Sequence, residues 1–323
     1  MSDTQYTYAV ARIRSKELLL FNAQIIEQLL SAKSYQECMH LLEDKGWGNG
    51  DSQISAEQLL AHERQKTWDL MGELVPDLSV FDVFLYANDY HNLKAAIKQV
   101  CTGSEDFGLY FSFGTIPAKE LYKMVSEHDF YLLPAGMRAP AQEAYEALSQ
   151  TQDGQLCDII IDKAALEAIY AAGKASENDL IEKYAELTVA AADIKTAVRC
   201  CRTGKPLEFV KRALAECDTL NVTRLAHAAV EGIEAICDYL SGTNYAEAVN
   251  ALEQSPSVFE RWCDNLMIRD IRPQQYISFG IGPLAAYILA RENEIKTVRI
   301  ILSGKLNGLP DASIRERVRE MYV

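Results

Sequence analysis

One helical pattern occurs three times along this chain, at a spacing of about 100 residues. The first copy covers Val83–Gly103 and the second covers Tyr184–Gly204, and both carry apolar residues at alternating steps of three and four. This spacing predicts an amphipathic helix with one buried face, and the closing glycine is typical of the position just after a helix end. A third copy, Tyr287–Gly304, is one residue shorter between its lysine and its glycine.

The repeat spacing also predicts the domain organisation. A chain of 323 residues is long enough for three small domains, whereas solenoid repeats recur every 20 to 50 residues or so. We therefore predict an all-α fold of three similar helical domains with pseudo-threefold symmetry. Their expected bounds are 1–110, 111–211 and 212–323.

Five local features accompany this prediction. The apolar spacing from Tyr6 to Leu30 predicts one long helix, and Val222–Leu240 reads as another. Ser34 with Glu37, and Ser55 with Gln58, have the spacing of capping boxes at helix N-termini. The third copy of the repeat is expected to be helical over Leu284–Leu302, with Gly304 beyond its end.

The net charge of −14 argues against nucleic acid as a partner, because such binding depends on clustered lysine and arginine. The charge is unevenly distributed. Residues 261–320 hold ten basic and seven acidic side chains, so this segment is +3 while the remainder is −17. This asymmetry is either ordinary scatter on helix surfaces or a sign that one end of the molecule meets a partner of different charge.

The eight cysteines show no CxxC pair and no zinc-like spacing with histidine, which favours reduced cysteines in a cytoplasmic protein. We expect no secretory signal and no membrane span, because no apolar run reaches about 18 residues. We also expect no cofactor and no metal. Phe279–Pro283 lacks the third glycine of a dinucleotide fingerprint, and Gly204-Lys205 lacks the rest of a P-loop. With no nucleophile beside a base, the sequence predicts a protein without catalytic activity.

Basic side chains recur on the three repeat helices. They are Lys94 and Lys98 in the first copy, Lys195 and Arg199 in the second, and Lys296 and Arg299 in the third. One interpretation is that they are solvated flanks of a core-facing stripe, since lysine and arginine suit the C-terminal half of a helix. The other is that they form three basic rims around a pseudo-threefold axis and face a shared partner.

Several segments together resemble one protein family. They are Tyr8–Arg14, Ser34-Tyr35 leading to Lys45–Trp47, Asn88–Lys94, Phe279–Tyr287, and the run Glu292–Pro310 followed by Ile314–Arg317. This set is similar to the C subunits of the archaeal and bacterial A/V-type rotary ATPases, which are the counterparts of the eukaryotic V-ATPase d subunits. The resemblance spans essentially the whole chain and is most specific in the C-terminal run.

The resemblance implies a funnel of three helical domains that acts as a rotor part and not as a catalyst. Proteins of this kind lie on the cytoplasmic face of the membrane and hold no membrane span of their own. The expected partners are the central-shaft subunits and the membrane rotor ring, so that ATP hydrolysis is linked to proton or sodium transport. The sequence leaves open which ion is carried, whether the complex pumps or synthesises, and which partner the basic rims contact.

Two other functions remain open at this point. An all-helical cytoplasmic adaptor unrelated to ion transport would share the same composition and repeats, but it would not copurify with membrane-ring subunits. An all-α nucleotide binder is the third hypothesis, and stabilisation of the fold by ATP or a dinucleotide would support it.

Overall fold

The computed structural model describes residues 6–50, 54–104 and 108–323, and these residues form helices and no strands. The predicted all-α fold is confirmed. The first eight α-helices are α1 Thr7–Glu17, α2 Ala23–Ser31, α3 Tyr35–Asp44, α4 Ala56–Leu74, α5 Tyr86–Thr102, α6 Ala118–Ser126, α7 Ala135–Thr151 and α8 Gly154–Ala175. The others are α9 Asp179–Arg202, α10 Leu207–Ala213, α11 Val222–Glu231, α12 Ile233–Ser241, α13 Val249–Gln254, α14 Pro256–Ile271, α15 Gly282–Leu306 and α16 Asp311–Arg315.

The chain divides into two compact units. The first comprises Met1–Leu78, Asn178–Leu180 and Asn250–Val323, and the second comprises Ser79–Glu177 and Ile181–Val249. The division at 1–110, 111–211 and 212–323 stays a prediction, as does the pseudo-threefold arrangement.

The three repeat helices are α5, α9 and α15, and their apolar stripes lie in the cores. Leu93 and Ile97 of α5 are fully buried in the second unit, Ile194 of α9 is fully buried too, and Val298 of α15 is buried in the first unit. The alternating spacing places these side chains on one face, where burial removes apolar surface from water. The sequence prediction of three core-facing helical stripes is therefore confirmed.

The single helix predicted over Tyr6–Leu30 is wrong, because α1 ends at Glu17 and α2 begins at Ala23. Asn22 starts the second helix by accepting a hydrogen bond from the Ile25 backbone N–H at 3.0 Å. Phe21 turns into the core, where its ring stacks on Trp47 at 5.0 Å. The apolar pattern continues across the break because Phe21, which lies in the connection between α1 and α2, is buried as a helical residue at this position would be.

Two further helix predictions need correction. The helix predicted over Val222–Leu240 is interrupted at Gly232, whose φ of 146° lies outside the helical region. The third repeat helix does not end before Gly304 but runs on to Leu306. The added turn is fixed by Lys305, whose ammonium group donates to the Leu30 and Ala32 carbonyls and contacts the Asp311 carboxylate.

The predicted caps at Ser34 and Ser55 are confirmed. Ser55 with Gln58 forms a reciprocal capping box at the start of α4. Ser34 accepts from the Glu37 backbone N–H at the start of α3, but the Glu37 carboxylate accepts from the Lys33 N–H, whereas a capping box requires it to accept from the Ser34 N–H. These caps satisfy backbone donors that the first helical turn leaves unpaired.

Gly173 permits a close approach of α8 to α9. A Cβ built on it would lie 2.3 Å from the Ala185 Cβ, which cannot move without its backbone. We expect Gly173→Ala to lower the free energy of unfolding by about 1–3 kcal/mol, as overpacking does. Urea unfolding followed by circular dichroism measures this change. Gly154→Ala is the matched control, because its added methyl group meets no atom and should be neutral or stabilising. An unchanged stability in Gly173→Ala would contradict the close packing.

Candidate functional site

The structure places Lys94, Lys98, Lys296 and Arg299 in ion pairs. On α5, Lys94 Nζ lies 2.6 Å from Asp162 Oδ1, and Lys98 Nζ lies 2.5 Å from Asp158 Oδ1. Both aspartates lie one turn apart on α8, so each lysine has an acidic neighbour within its own unit. These pairs partly neutralise the first predicted basic rim.

The pairs on α15 are also partly exposed. Lys296 Nζ lies 2.6 Å from Asp264 Oδ2 on α14, and Arg299 Nη2 lies 3.1 Å from Glu57 Oε2 at the start of α4. Pairs of this kind contribute little to stability, at most about 1 kcal/mol each. The Lys296 and Arg299 side chains each remain 46% exposed.

The α9 residues Lys195 and Arg199 are both exposed. The structure brings Arg199 and Lys94 together, because both line a cavity of about 240 Å³ that also contains Asp158 and Asp162. Two repeat helices thus contribute cations to one mixed-charge cavity. A binding role for the six residues stays a prediction.

A second set of repeat residues was missed by sequence reasoning. Asn92, Asp193 and Asn293 each lie eleven positions before the repeat glycine, and all three are buried although they are polar. Each bonds the backbone of a segment later in the chain, which is the segment after α5 for Asn92, after α10 for Asp193 and after α16 for Asn293. The Asn92 amide both donates to the Phe111 carbonyl (3.0 Å) and accepts from the Phe111 N–H (2.8 Å).

The equivalent residues on α9 and α15 also bond the backbone of a later segment, but with fewer hydrogen bonds. Asp193 Oδ1 accepts from the Ala215 N–H at 3.1 Å, and Asn293 Nδ2 donates to the Glu320 carbonyl at 2.9 Å. Because buried backbone groups need partners, these side chains attach a later segment to each repeat helix. We call Asn92, Asp193 and Asn293 the anchor residues. Aligning the copies on their glycines, and not on their lysines, would have identified them.

The Asp193 carboxyl is fully buried, and burial raises its pKa to about 7. Lys163 and the Ala215 N–H oppose this effect, while the nearby Glu216 and Glu186 add to it. Its second oxygen has no hydrogen-bond partner among the described residues. Desolvation penalises the charged form of this carboxyl, a cost that the uncharged amide of Asn92 does not carry at the equivalent position.

Asp89 reinforces the first anchor from one turn earlier on α5. Its carboxylate accepts from the Thr115 N–H at 2.8 Å and the Thr115 hydroxyl at 2.7 Å, and the Ile116 N–H adds a third bond. His91 bonds the Leu109 carbonyl. Three residues of the run Asn88–Lys94 therefore fix the connection after α5, namely Asp89, His91 and Asn92.

A buried charge cluster lies in the first unit. The Arg291 guanidinium on α15 binds Glu63 Oε2 on α4 at 2.7 Å and the Glu294 carboxylate one turn away. It also lies over the Trp47 ring, 5.3 Å from the centroid. Glu294 accepts the Phe21 N–H, so the cluster also fixes the break between α1 and α2. We call Glu63, Arg291 and Glu294 the buried charge cluster.

The outer side of the buried charge cluster opens into a cavity of about 340 Å³. Basic side chains at this cavity come from α1, the turn after α3, α4 and α15, and they are Arg12, Lys16, Lys45, Lys66 and Arg291. Among the described residues, no group of three or more His, Cys, Asp or Glu side chains has the arrangement of a metal site. None of the described helices is both long and apolar enough to cross a bilayer.

Comparison with known proteins decides the family. A family model described as ATP synthase (C/AC39) subunit matches residues 9–317. The chain belongs to this family. The resemblance found in the sequence is thereby confirmed, and the chain is related to subunits of A/V-type ATPases.

Curated relatives cover nearly the whole chain. The C subunit of the A-type ATP synthase of Methanocaldococcus jannaschii is 26% identical, over 96% of this chain and 85% of that protein. The C subunit of the V-type ATP synthase of Thermus thermophilus is 25% identical, over 98% and 99% respectively. The C subunit of the V-type sodium ATPase of Enterococcus hirae is 22% identical, over 96% and 97%. The chain is similar to these proteins from end to end.

Proposed function

We propose that this family member is a non-catalytic rotor subunit of an A/V-type ATPase. It acts as a socket between the central shaft and the membrane rotor ring, on the cytoplasmic face of the membrane. The observation that carries this proposal is the family match over residues 9–317, with C subunits of ATP synthases and a sodium ATPase as relatives. Which ion the complex carries is not part of the proposal.

The packing supports a mechanical role. A part that transmits torque must resist twisting, and close-packed helices do so because protein interiors have nearly crystalline density. The buried anchor side chains attach each repeat helix by hydrogen bonds to the backbone of a segment later in the chain. Connections that would otherwise be loose are thereby made part of the packed structure.

A depletion experiment tests the role in coupling. Complexes from which this chain has been removed should still hydrolyse ATP but should not transport ions, and adding the chain back should restore transport. Ion transport that continues at the original ratio to ATP hydrolysis without the chain would contradict the proposal.

The six basic repeat residues are proposed to contribute to partner contacts. We expect Lys98→Glu, Arg199→Glu and Arg299→Glu together to leave the fold intact, because all three side chains are exposed or half-exposed. Reversed charges should weaken assembly with the shaft or the ring through lost electrostatic complementarity. Titrations against each partner measure the affinity.

The matched control carries the same charge change at residues outside both cavities. Lys119, Lys123 and Arg202 are exposed, and we call their joint replacement by glutamate the control variant. It should bind both partners like the unmodified chain. If the variant with glutamate at Lys98, Arg199 and Arg299 bound both partners as tightly as the control variant, these three residues would not belong to the interface.

A further inference from the structure

The cavity of about 340 Å³ in the first unit contains cations that the fold does not use. Arg12 and Lys16 on α1, and Lys45 after α3, line it. None of the three side chains has an ion-pair or hydrogen-bond partner among the described residues. By contrast, Lys66 and Arg291 at the same cavity both bind Glu63. The three unpaired cations therefore come to one cavity from α1 and from the turn after α3.

Acidic side chains are present but do not balance them. Asp69 and Glu73 on α4 also line the cavity. Asp69 accepts a hydrogen bond from Gln65 at 2.6 Å. The cavity therefore presents a surplus of positive charge, and the buried Arg291 guanidinium forms its inner end. Such a surplus attracts carboxylates and lowers the affinity for basic partners.

Apolar side chains stand beside these cations. Leu19 lines the cavity and is 70% exposed, and Leu18 next to it is 85% exposed. Both follow the end of α1 in the turn that precedes Phe21. Two adjacent leucines exposed to solvent indicate a surface that another protein covers. A bound small anion would leave both leucines exposed.

We propose that this cavity, with Leu18 and Leu19 at its rim, is the docking site for an acidic amphipathic segment of the shaft. Carboxylates of the segment contact Arg12, Lys16 and Lys45, and an apolar side chain of the segment covers the two leucines. The proposal rests on the proposed function, which supplies the shaft as the partner. It extends that function by assigning one contact to named residues outside the repeat helices.

The test uses the full chain, purified shaft subunits and the detergent-solubilised ring. Arg12→Glu, Lys16→Glu and Lys45→Glu are combined in one variant, and the control variant carries the same charge change elsewhere. We expect the cavity variant to bind the shaft at least about tenfold more weakly, with most of the loss in the association rate. Its affinity for the ring and its urea unfolding midpoint should match those of the control variant.

A second variant tests the apolar part. Leu18→Ser with Leu19→Ser should raise the dissociation rate from the shaft several-fold, and the effect should persist at high salt because it does not depend on charge. Since both leucines are exposed, the variant should fold normally.

The outcomes separate this proposal from the function on which it rests. Binding of the unmodified chain to neither partner would overturn the proposed function, and this site with it. Binding to both partners with a cavity variant that matches the control would overturn only the docking site. A loss confined to the ring would also overturn it. The docking site would also be overturned if inorganic phosphate raised the melting temperature of the unmodified chain but not that of the cavity variant, while both proteins bound the shaft equally.

Discussion

Replacement of Arg291 by methionine should lower the free energy of unfolding by about 3–5 kcal/mol, because it leaves Glu294 buried without its cation and leaves Glu63 with Lys66 alone. Both carboxylates are almost fully buried, with side chains 4% and 1% exposed. Burial already raises the pKa of Glu294, and the Arg291 charge opposes that rise. Equilibrium unfolding in urea measures the loss.

Two further variants show whether the loss arises from the buried charges. Adding Glu294→Gln to Arg291→Met should recover part of the stability, because the amide oxygen can still accept from the Phe21 N–H while one buried charge is removed. Arg299→Met is the matched control, since its pair with Glu57 is exposed. It should change stability by less than about 1 kcal/mol. Similar losses for both arginine variants would contradict the account of the cluster.

Replacement of Asp193 by asparagine should stabilise the fold at neutral pH. The pKa of Asp193 is raised from 3.8 to about 7, so the folded state holds its proton while the unfolded state loses it. Stability is therefore lost as the pH rises between these two values and stays low above the upper one. At about 1.36 kcal/mol per pKa unit, the gain in the variant above pH 7 is up to about 4 kcal/mol.

Urea unfolding of both proteins between pH 4 and pH 8 measures this difference. The two curves should approach each other at the acid end and separate towards pH 7. The reciprocal variant Asn92→Asp introduces a carboxyl at the equivalent anchor, which is 1% exposed. It should lose stability as the pH rises. A difference between Asp193→Asn and the unmodified chain that does not change with pH would contradict the assigned pKa.

The sequence predicts the core well where the signal is periodic. Leu93, Ile97 and Val298 belong to stripes that any helix with this spacing must bury on one face, and they lie in the cores. The caps at Ser34 and Ser55 are local as well, because donor and acceptor are separated by three residues. These features are determined by residues that lie close together in the sequence.

The missed features depend on partners distant in sequence. Arg291 meets Glu63 across 228 positions, and no spacing rule connects two such residues. The anchor residues are polar, so in any single copy of the repeat they look like solvent-facing positions, although they are buried in the structure. The break after Glu17 was hidden because Phe21 and Leu20 extend the apolar pattern, although Asn22 is a strong N-cap residue. Gly304 looked like a helix end because the bonds of Lys305 to Leu30 and Ala32 cannot be read locally.

Bridging between the shaft and the ring is the central property of the proposed socket. The most direct measurement immobilises the purified shaft subunits and adds the detergent-solubilised ring, with or without this chain. The ring should be retained on the immobilised shaft only when the chain is present, and the three components should elute together. A ring that is retained equally without the chain, or not retained with it although the chain is folded, would contradict the proposed function.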